Sequence, residues 1–425
     1  MNGHKIIDLV RRTNAVKASN FYMNLFKSDD INSVAMKMQR DNLVSQLIRL
    51  RDNNFYRQFL ENISDNEIKE KPYEILERFP IADKKILKEH FNELRNLKWK
   101  GENAYTGGST GTPFHYVVDK RLLTSVNGFT LFLWHYLADY NVNDNVIVVG
   151  GTSIGDRKNP KKCILHYFQK RTYISGGDIN IDNAKRLVSL INKAKKPIIL
   201  YGYPSSICEY IGIIQKKGLI VDYHNIKSII TTSETLSSYQ RTLIEDSFGK
   251  KVVNLYGARD GGISAGSIDD KTFIYNGIDC YIENIEYDGE KELVLTNLKC
   301  DSFPFIRYRV GDIADLRISK IGYPFILSNL LGRTRDFVSL PNGNKIHGSK
   351  LNKLFSHYRI GEYQITQHKD YSCSIVITED SRINIENLIN DIKTILPSID
   401  YNVKVVDAIP RQSNNKLRNI ISDIE

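Results

Sequence analysis

The sequence predicts an α/β protein in which a large N-terminal domain, with mostly parallel sheets flanked by helices, precedes a small α+β domain. Two observations predict this. In the middle of the chain, short β-rich runs alternate with helix-like runs, a pattern typical of parallel sheets. Near residue 335 the chain restarts in shorter hairpin-like and helix-like units. The length of 425 residues is enough for more than one domain.

The composition is that of a globular protein with a basic balance: 41% hydrophobic residues, 25% charged residues and a net charge of +10. A basic balance favours nucleic acid, an anionic membrane surface or phosphorylated small molecules as partners. No aromatic motif supports nucleic-acid binding, and no apolar run is long enough to span a bilayer. The N-terminus lacks a signal peptide's apolar core, and the five scattered cysteines indicate free thiols. We therefore expect a cytoplasmic protein with no transmembrane segment.

The first hundred residues are predicted to be mostly helical. The run "DNLVSQLIRLRDNNFYRQFLENI" places Leu43, Leu47, Leu50 and Phe55 near helical spacing. The run "DKKILKEHFNELR" repeats this pattern, and "GFTLFLWHYLADY" predicts a buried helix.

Four strand-like runs follow: "NVIVVGG", "KPIILYGYPSS", "SIITTSETL" and "KVVNLYGARDGG". The helix-like runs "NAKRLVSLINKAKK" and "PSSICEYIGIIQKKG" separate the first three. Ligands bind beyond the carboxyl ends of strands in parallel sheets. We therefore expect the small and polar residues that end these strands to converge on one cleft.

The run "PFIRYRVGDIADLRI" alternates apolar and charged residues, which predicts antiparallel strands. Beyond it, "FVSLPNGNKI" predicts a hairpin around Asn342-Gly343, and "YQITQHKDYSCSIVIT" predicts a second hairpin. "NIENLINDIKTIL" predicts a helix, and "NVKVVDAI" predicts a strand. We place the domain boundary after residue 335, which gives domains 1–335 and 336–425.

A glycine- and hydroxyl-rich stretch, "TGGSTGTP", is the first candidate site. Its first seven residues are Thr106, Gly107, Gly108, Ser109, Thr110, Gly111 and Thr112. Glycines let successive amides turn inward to cradle an anion, and hydroxyls add donors. This predicts a phosphate loop, with a flexible surface loop as the alternative. No lysine follows Gly111, so the stretch differs from the nucleotide loop that ends in Gly-Lys-Ser/Thr.

Four motifs and a late lysine stand in a recognisable order. They are "YTGGSTGTP" (105–113), "YGARDGG" (256–262), "YRVGDIAD" (308–315), "GRTRDF" (332–337) and the lysine of "IPRQSNNKLRNI" (409–420). Together they resemble the adenylate-forming superfamily of acyl-CoA ligases, luciferases and peptide-synthetase adenylation domains. "RFPIADKKIL", "YGYPSSI" and "FPFIRYRVGD" resemble the phenylacetate–CoA ligase branch, and within it members encoded in surface-polysaccharide clusters.

The resemblance implies a two-step reaction. A carboxylate attacks the α-phosphate of ATP and releases pyrophosphate, and a thiol or an amine then attacks the acyl-adenylate. Backbone amides, hydroxyls, a metal and a cation stabilise the charge that develops on the phosphate oxygens. Residues 106–112 would hold the β- and γ-phosphates. The acceptor stays open between coenzyme A, an amine on a sugar or amino acid, and a carrier-protein thiol.

The resemblance also implies roles for three catalytic residues. Asp260 stands where the superfamily has glutamate and would help to hold Mg²⁺, which prefers oxygen ligands. Lys416 would contact the α-phosphate and the substrate carboxylate. Arg259 replaces the usual threonine or serine and would put a cation back near the phosphates or the substrate, since Thr112 replaces a lysine that is common in the phosphate loop. The alternatives are a turn or helix-capping role for Asp260 and a solvated side chain for Lys416.

The nucleotide-binding residues follow in the same way. Tyr256 would pack beside adenine, Gly257 would let the base approach, and Asp312 would accept hydrogen bonds from both ribose hydroxyls. Ser233 and Glu234, in "TTSETL", would line the other side of the base. Arg333 would reach the ribose or the phosphates. The alternatives are an ordinary turn residue for Asp312 and a surface ion pair for Arg333.

The resemblance places a hinge at Asp336, around which a mobile C-terminal domain would turn. Gly202 and Tyr203 would line an apolar or aryl substrate pocket. Asn415 replaces the glycine that usually precedes the late lysine. The region after "YGARDGG" holds one cysteine and no histidine, so we predict no structural zinc.

Two hypotheses complete the sequence analysis. The stretch 156–173 holds Lys158, Lys161, Lys162, Lys170 and Arg171 and would meet the phosphates of coenzyme A or an anionic carrier, with a solvated basic face as the alternative. The departures from the superfamily pattern leave a catalytically silent nucleotide-binding scaffold as the alternative function.

Overall fold

The structure is a computed structural model, and the residues that it describes are 14–105, 114–151, 170–287, 290–320, 322–333, 337–358, 360, 362–378, 384–406, 409–410 and 417–424. The chain divides into two compact units. One comprises Met1–Leu137 and Leu255–Leu330, and the other comprises Ala138–Asn254 and Leu331–Glu425. The predicted boundary after residue 335 stays a prediction.

Helices dominate the N-terminal part of the first unit, as predicted. They are α1 (Asn14–Leu25), α2 (Ile31–Arg49), α3 (Asp65–Glu70), α4 (Pro72–Glu77), α5 (Lys84–Glu89), α6 (Phe91–Leu94) and α7 (Lys120–Ala138). Helix α2 passes into a 3-10 turn after Arg49. Leu43, Leu47, Leu50 and Phe55 are all buried in one hydrophobic core, which confirms the predicted apolar face. Helix α7 contains most of the run that was predicted as a buried helix, and Phe129, Phe132 and Leu133 in it are buried, whereas Tyr136 is exposed.

Two sets of strands complete the first unit. Strands β1 (Gly101–Tyr105) and β2 (His115–Asp119) form an antiparallel hairpin. Further strands, numbered in chain order, are β8 (Ile263–Ser267), β9 (Phe273–Tyr275), β10 (Cys280–Tyr287), β11 (Glu290–Asn297), β12 (Tyr308–Ile318) and β13 (Phe325–Arg333). Their order in the sheet is β10-β11-β12-β13-β9-β8. Strand β12 pairs antiparallel with β11, as the alternation of its side chains predicts.

The second unit contains three of the predicted strands, β3 (Asn145–Gly150), β5 (Ile198–Gly202) and β6 (Ile226–Thr232), and they are parallel. Strand β4 (Arg171–Ser175), which the sequence did not predict, pairs parallel with β3 and gives the order β6-β5-β3-β4. Helices α8 (Ile181–Asn192), α9 (Pro204–Lys216) and α10 (Ser238–Phe248) pack against them through one apolar core. Strand β7 (Val252–Ala258) is divided between the units at Asn254 and Leu255. The predicted α/β fold is confirmed.

The C-terminal part of the second unit has a core of its own, built from residues 338–420. Strands β14 (Phe337–Ser339) and β15 (Lys345–His347) form the predicted hairpin, and Gly343 adopts a positive φ of 85° in its turn. Helix α11 (Gly348–His357) follows. Strands β16 (Tyr363–Gln367), β17 (Cys373–Thr378), β18 (Tyr401–Val406) and β19 (Ile420–Ser422) form a sheet in the order β18-β17-β16-β19, beside helix α12 (Ile385–Ile395).

Within the described part of the chain, every helix falls short of the length and apolarity that crossing a bilayer requires.

Candidate active site

The glycine-rich stretch 106–113 lies outside the described residues, but its two flanks are well defined. Tyr105 ends β1 and pairs with His115 at the start of β2, so the stretch joins the two strands of an antiparallel hairpin. The Tyr105 and His115 rings stack with centroids 5.0 Å apart, and the Phe91 ring stacks on His115 at 4.7 Å. The stacked rings thus connect the two flanks of this stretch to helix α6.

Asp312 and Tyr256 come together within the first unit. The Tyr256 hydroxyl donates a hydrogen bond of 2.7 Å to Oδ2 of Asp312, which joins strands β7 and β12. Gly311, which directly precedes Asp312, has a positive backbone φ of 83°, a conformation that residues other than glycine rarely adopt. Asp312 is 9% exposed. Two motifs that are 56 residues apart in sequence therefore meet at one carboxylate.

Asp260 lies in the turn after β7 and is 8% exposed. Its Oδ2 accepts a hydrogen bond of 2.8 Å from the Tyr308 hydroxyl and lies 3.7 Å from the Lys84 ammonium. Burial raises the pKa of Tyr116 well above its ordinary value, and the negative charge of Asp260 adds to this effect. The carboxylate is thus held in place by one phenol and one cation.

The position of Lys84 follows from backbone pairing between the start of α5 and β12. The amide of Ala82 donates to the carbonyl of Arg307, and the amide of Arg309 donates to the carbonyl of Ala82. The Asp83 side chain caps the first turn of α5 by accepting from the amides of residues 85 and 86. Together these contacts place Lys84 beside the turn that carries Asp260.

Arg307 connects strand β10 with the end of helix α4 and the segment that follows it. Its guanidinium forms two hydrogen bonds with the Glu283 carboxylate, at 2.8 and 3.1 Å, and donates to the carbonyls of Glu77 and Phe79. Burial raises the pKa of Glu283, an effect that the Arg307 charge opposes. The backbone of Arg307 has a positive φ of 46°, and it directly precedes the Tyr308 that contacts Asp260. We therefore assign Arg307 a structural role.

The predicted residues of the second unit are also held by defined contacts. Oε2 of Glu234 accepts from the hydroxyl of Ser205 at 2.6 Å and from its amide at 3.3 Å, at the first turn of α9. Ser233 has a positive φ of 72°. The Glu234 carboxylate therefore completes the N-terminus of α9, where the helix dipole favours a negative charge.

Gly202 ends strand β5 against the backbone of β3. A Cβ atom at Gly202 would lie 2.1 Å from the carbonyl oxygen of Val149, so only glycine fits there. The adjacent Tyr203 is fully buried, and its amide donates to the same carbonyl. The two predicted pocket residues thus lie at the carboxyl end of the parallel sheet.

Of the remaining predicted residues, the structure describes some and leaves others out. Arg259 and Gly257 are exposed on either side of buried Ala258. Arg333 ends strand β13, while Asp336 and Lys416 lie outside the described residues. Of the basic stretch, residues 170–173 are described, and the Lys170 ammonium donates to the carbonyl of Asn143 at 3.0 Å.

Sequence reasoning missed Lys84 and Tyr308 as site residues. Both lie in stretches that the resemblance uses, "RFPIADKKIL" and "FPFIRYRVGD". The position of Lys84 and Tyr308 in these motifs could have identified them as site residues. Their shared contact with Asp260 depends on tertiary structure.

No protein-family model matches the chain. It is 26% identical over 261 residues to the indoleacetate–lysine synthetase of Pseudomonas savastanoi, a match that covers 57% of this chain and 62% of that protein. The chain thus spans less than two thirds of that relative. It is 23% identical over 391 residues to protein CapK of Staphylococcus aureus, which covers 83% of this chain and 84% of CapK.

Solved structures give the same result for the fold. 2-Hydroxyisobutyryl-CoA ligase, in the postadenylation state with 2-HIB-AMP, superposes with a TM-score of 0.67 at 16% identity, covering 91% of this chain and 89% of that chain. The same ligase in its thioesterification state, with 2-HIB-AMP and CoA, gives a TM-score of 0.56. The chain therefore has the fold of an adenylate-forming acyl-CoA ligase, which confirms the predicted resemblance at the level of fold.

Proposed function

We propose that this protein activates a carboxylic acid with ATP as an acyl-adenylate, releases pyrophosphate, and transfers the acyl group to a thiol or an amine. The observation that carries the proposal is the pair of tyrosine-held carboxylates, Asp312 with Tyr256 and Asp260 with Tyr308. The motifs that supply these four residues are those that the resemblance assigns to ATP. The fold of 2-hydroxyisobutyryl-CoA ligase supports the same reaction class.

We assign the ribose to Asp312. A carboxylate accepts a hydrogen bond from each of two neighbouring hydroxyls, and the Tyr256 hydroxyl fixes the orientation of this one. Tyr256 and Gly257 would lie beside the base. We keep Ser233, Glu234 and Arg333 as further nucleotide-binding residues, and residues 106–112 as the loop for the β- and γ-phosphates.

The residues around Asp260 fit a magnesium ion. Mg²⁺ in nucleotide sites usually takes one or two carboxylates together with substrate phosphate oxygens and water. Asp260 supplies one carboxylate, and in the described part of the chain its Oδ1 accepts no hydrogen bond. A bound Mg²⁺ would neutralise charge on the triphosphate. Lys84 supplies a cation at this position, which offsets the absence of a lysine at Thr112.

We propose two orientations of the C-terminal residues 336–425, related by rotation at Asp336. In the first orientation Lys416 would contact the α-phosphate while the adenylate forms. In the second, another face of these residues would admit the acceptor. The separate core built from residues 338–420 supports a domain that turns as one body. Arg259 would add a cation to the phosphate or acid site.

Coenzyme A is the first candidate acceptor, because the superposed ligase is a CoA ligase. An amine is the second, and the similarity to indoleacetate–lysine synthetase favours it. The similarity to CapK supports the hypothesis of a role in surface-polysaccharide synthesis. Gly202 and Tyr203 mark the region that we propose for the acid.

An ATP–pyrophosphate exchange assay over a panel of aryl, alkyl and hydroxy acids tests the proposal. We expect Mg²⁺-dependent exchange with at least one acid. Adding coenzyme A or lysine to the active combination then identifies the acceptor by the product formed. ATP binding without exchange for any acid would instead support the silent scaffold.

A further inference from the structure

A cavity of about 550 Å³ lies within the first unit, outside the residues proposed for catalysis. This volume is within the range of small-molecule sites, roughly 300–1,000 Å³. Residues of α1, α2, the first turns of α7 and the loops that carry Asp279 and Lys299 line it.

The cavity and the phosphate loop belong to opposite ends of one hairpin. Stretch 106–113 joins β1 to β2 at Tyr105 and His115, whereas α7 begins at the other end, directly after Asp119. Four residues of extended strand span roughly 13 Å. The residues that line the cavity also differ from those that we propose for the nucleotide.

The one carboxylate that lines the cavity, Asp279, is fully engaged by protein groups. Its Oδ2 accepts from the hydroxyls of Ser125 at 2.8 Å and Tyr22 at 3.2 Å. Its Oδ1 lies 3.5 Å from the Lys299 ammonium and 3.5 Å from the side-chain amide of Asn42. Asp279 thus organises the wall of the cavity, and its charge is offset by Lys299.

Two further cations face the cavity from the start of α7. Lys120 is exposed and forms no ion pair with any residue that the structure describes. Arg121 pairs with Asp301 through Nη1, and its guanidinium carries further donors. The cavity therefore presents a surplus of positive charge at this end.

Part of the lining is apolar. Ala18, Phe21, Met38 and Ile278 supply its hydrocarbon surface, and Phe21 is 40% exposed. We propose that the cavity binds a small amphiphilic anion. Its carboxylate or phosphate head would contact Lys120 and Arg121, and its hydrocarbon body would lie against Phe21 and Met38. This site is independent of the proposed activity.

Isothermal titration calorimetry without ATP tests the proposal, with octanoate and octyl phosphate as probes and octanol and inorganic phosphate as controls. We expect the intact chain to bind at least one of the two anionic probes more tightly than either control. Tighter binding of octanoate would identify a carboxylate ligand, and tighter binding of octyl phosphate a phosphorylated one.

Two variants locate the binding. Lys120→Ala removes an exposed charge and should weaken binding roughly tenfold, as expected for one charged hydrogen bond. Thr124→Trp should fill the cavity and abolish binding. Lys17→Ala, an exposed lysine of α1 outside the lining, is the matched control and should bind normally.

The proposal is overturned if neither probe binds, or if Lys120→Ala binds as tightly as the parent chain. The second result would place an acid in the catalytic pocket instead. Because the titration needs no ATP, its failure leaves the exchange assay unaffected, and a negative exchange assay leaves this site standing.

Discussion

Two carboxylates of the predicted nucleotide site, Asp260 and Glu234, are held in different ways. Asp260 in the first unit accepts from a neutral phenol and lies 3.7 Å from a lysine. Glu234 in the second unit accepts from a hydroxyl and an amide at the start of α9. Oε2 of Glu234 is thus bound by neutral donors at a helix N-terminus, whereas Oδ2 of Asp260 lies between a phenol and a cation.

This difference shows that the role of a carboxylate in a sequence motif depends on the groups that contact it. A negative charge at a helix N-terminus contributes to stability through the helix dipole. Carboxylate oxygens are ligands that Mg²⁺ prefers, and this is the role that we propose for Asp260. We therefore expect substitutions at Asp260 to change activity most and substitutions at Glu234 to change stability most.

The largest effect is expected for Asp260→Asn, which keeps the side-chain shape and removes the charge. At low, fixed Mg²⁺ the pyrophosphate exchange rate should fall roughly 10²-fold, as is typical when one electrostatic group of a transition state is lost. Raising the Mg²⁺ concentration should recover part of the rate. The measurement is a Mg²⁺ titration of exchange.

Asp246→Asn is the matched control, since Asp246 is exposed on α10. Its Mg²⁺ titration should overlay that of the parent chain. An unchanged titration for Asp260→Asn would make Asp260 a structural turn residue, and its contrast with Glu234 would disappear.

A smaller effect is expected for Asp312→Ala. This substitution removes the carboxylate proposed for the ribose and leaves the Tyr256 hydroxyl without its acceptor. ATP binding should weaken by roughly 1.5–3 kcal/mol, as for a hydrogen bond to a charged group. Calorimetry with ATP measures this, and unchanged affinity would remove Asp312 from the nucleotide site.

The smallest effect is expected for Glu234→Gln. The amide oxygen can still accept from Ser205, but the charge at the start of α9 is lost. The free energy of unfolding should fall by roughly 0.3–1 kcal/mol, measured by urea denaturation. Loss of ATP affinity larger than that of Asp312→Ala would show that Glu234 acts mainly on the nucleotide.

Much of the fold was predictable because its elements have a clear period. The four strands β3, β5, β6 and β7 and the helices α8 and α9 fall on the predicted runs. The β1 strand was missed because "GENAY" is polar and four of its five residues are exposed. It becomes a strand by pairing with β2, which a local pattern does not reveal. The three-residue strand β9 is too short to show a period.

The site was predictable in its residue types and less so in its contacts. The motifs identify Tyr256, Asp260 and Asp312 as candidates. They do not identify Lys84, which reaches Asp260 because Ala82 is paired with the backbone of β12. Contacts of this kind join residues that are far apart in the sequence.

The sequence by itself determined the periodic elements, the composition of the glycine-rich stretch 106–113 and the carboxylates that we propose for ATP and metal, because these features are local. Tertiary structure alone decided that Tyr308 holds Asp260 across 48 residues and that Tyr256 holds Asp312 across 56. The physical reason is strand register. Strand β12 carries both Tyr308 and Asp312, so the pairing of this strand in the sheet decides whether the two side chains reach their partners.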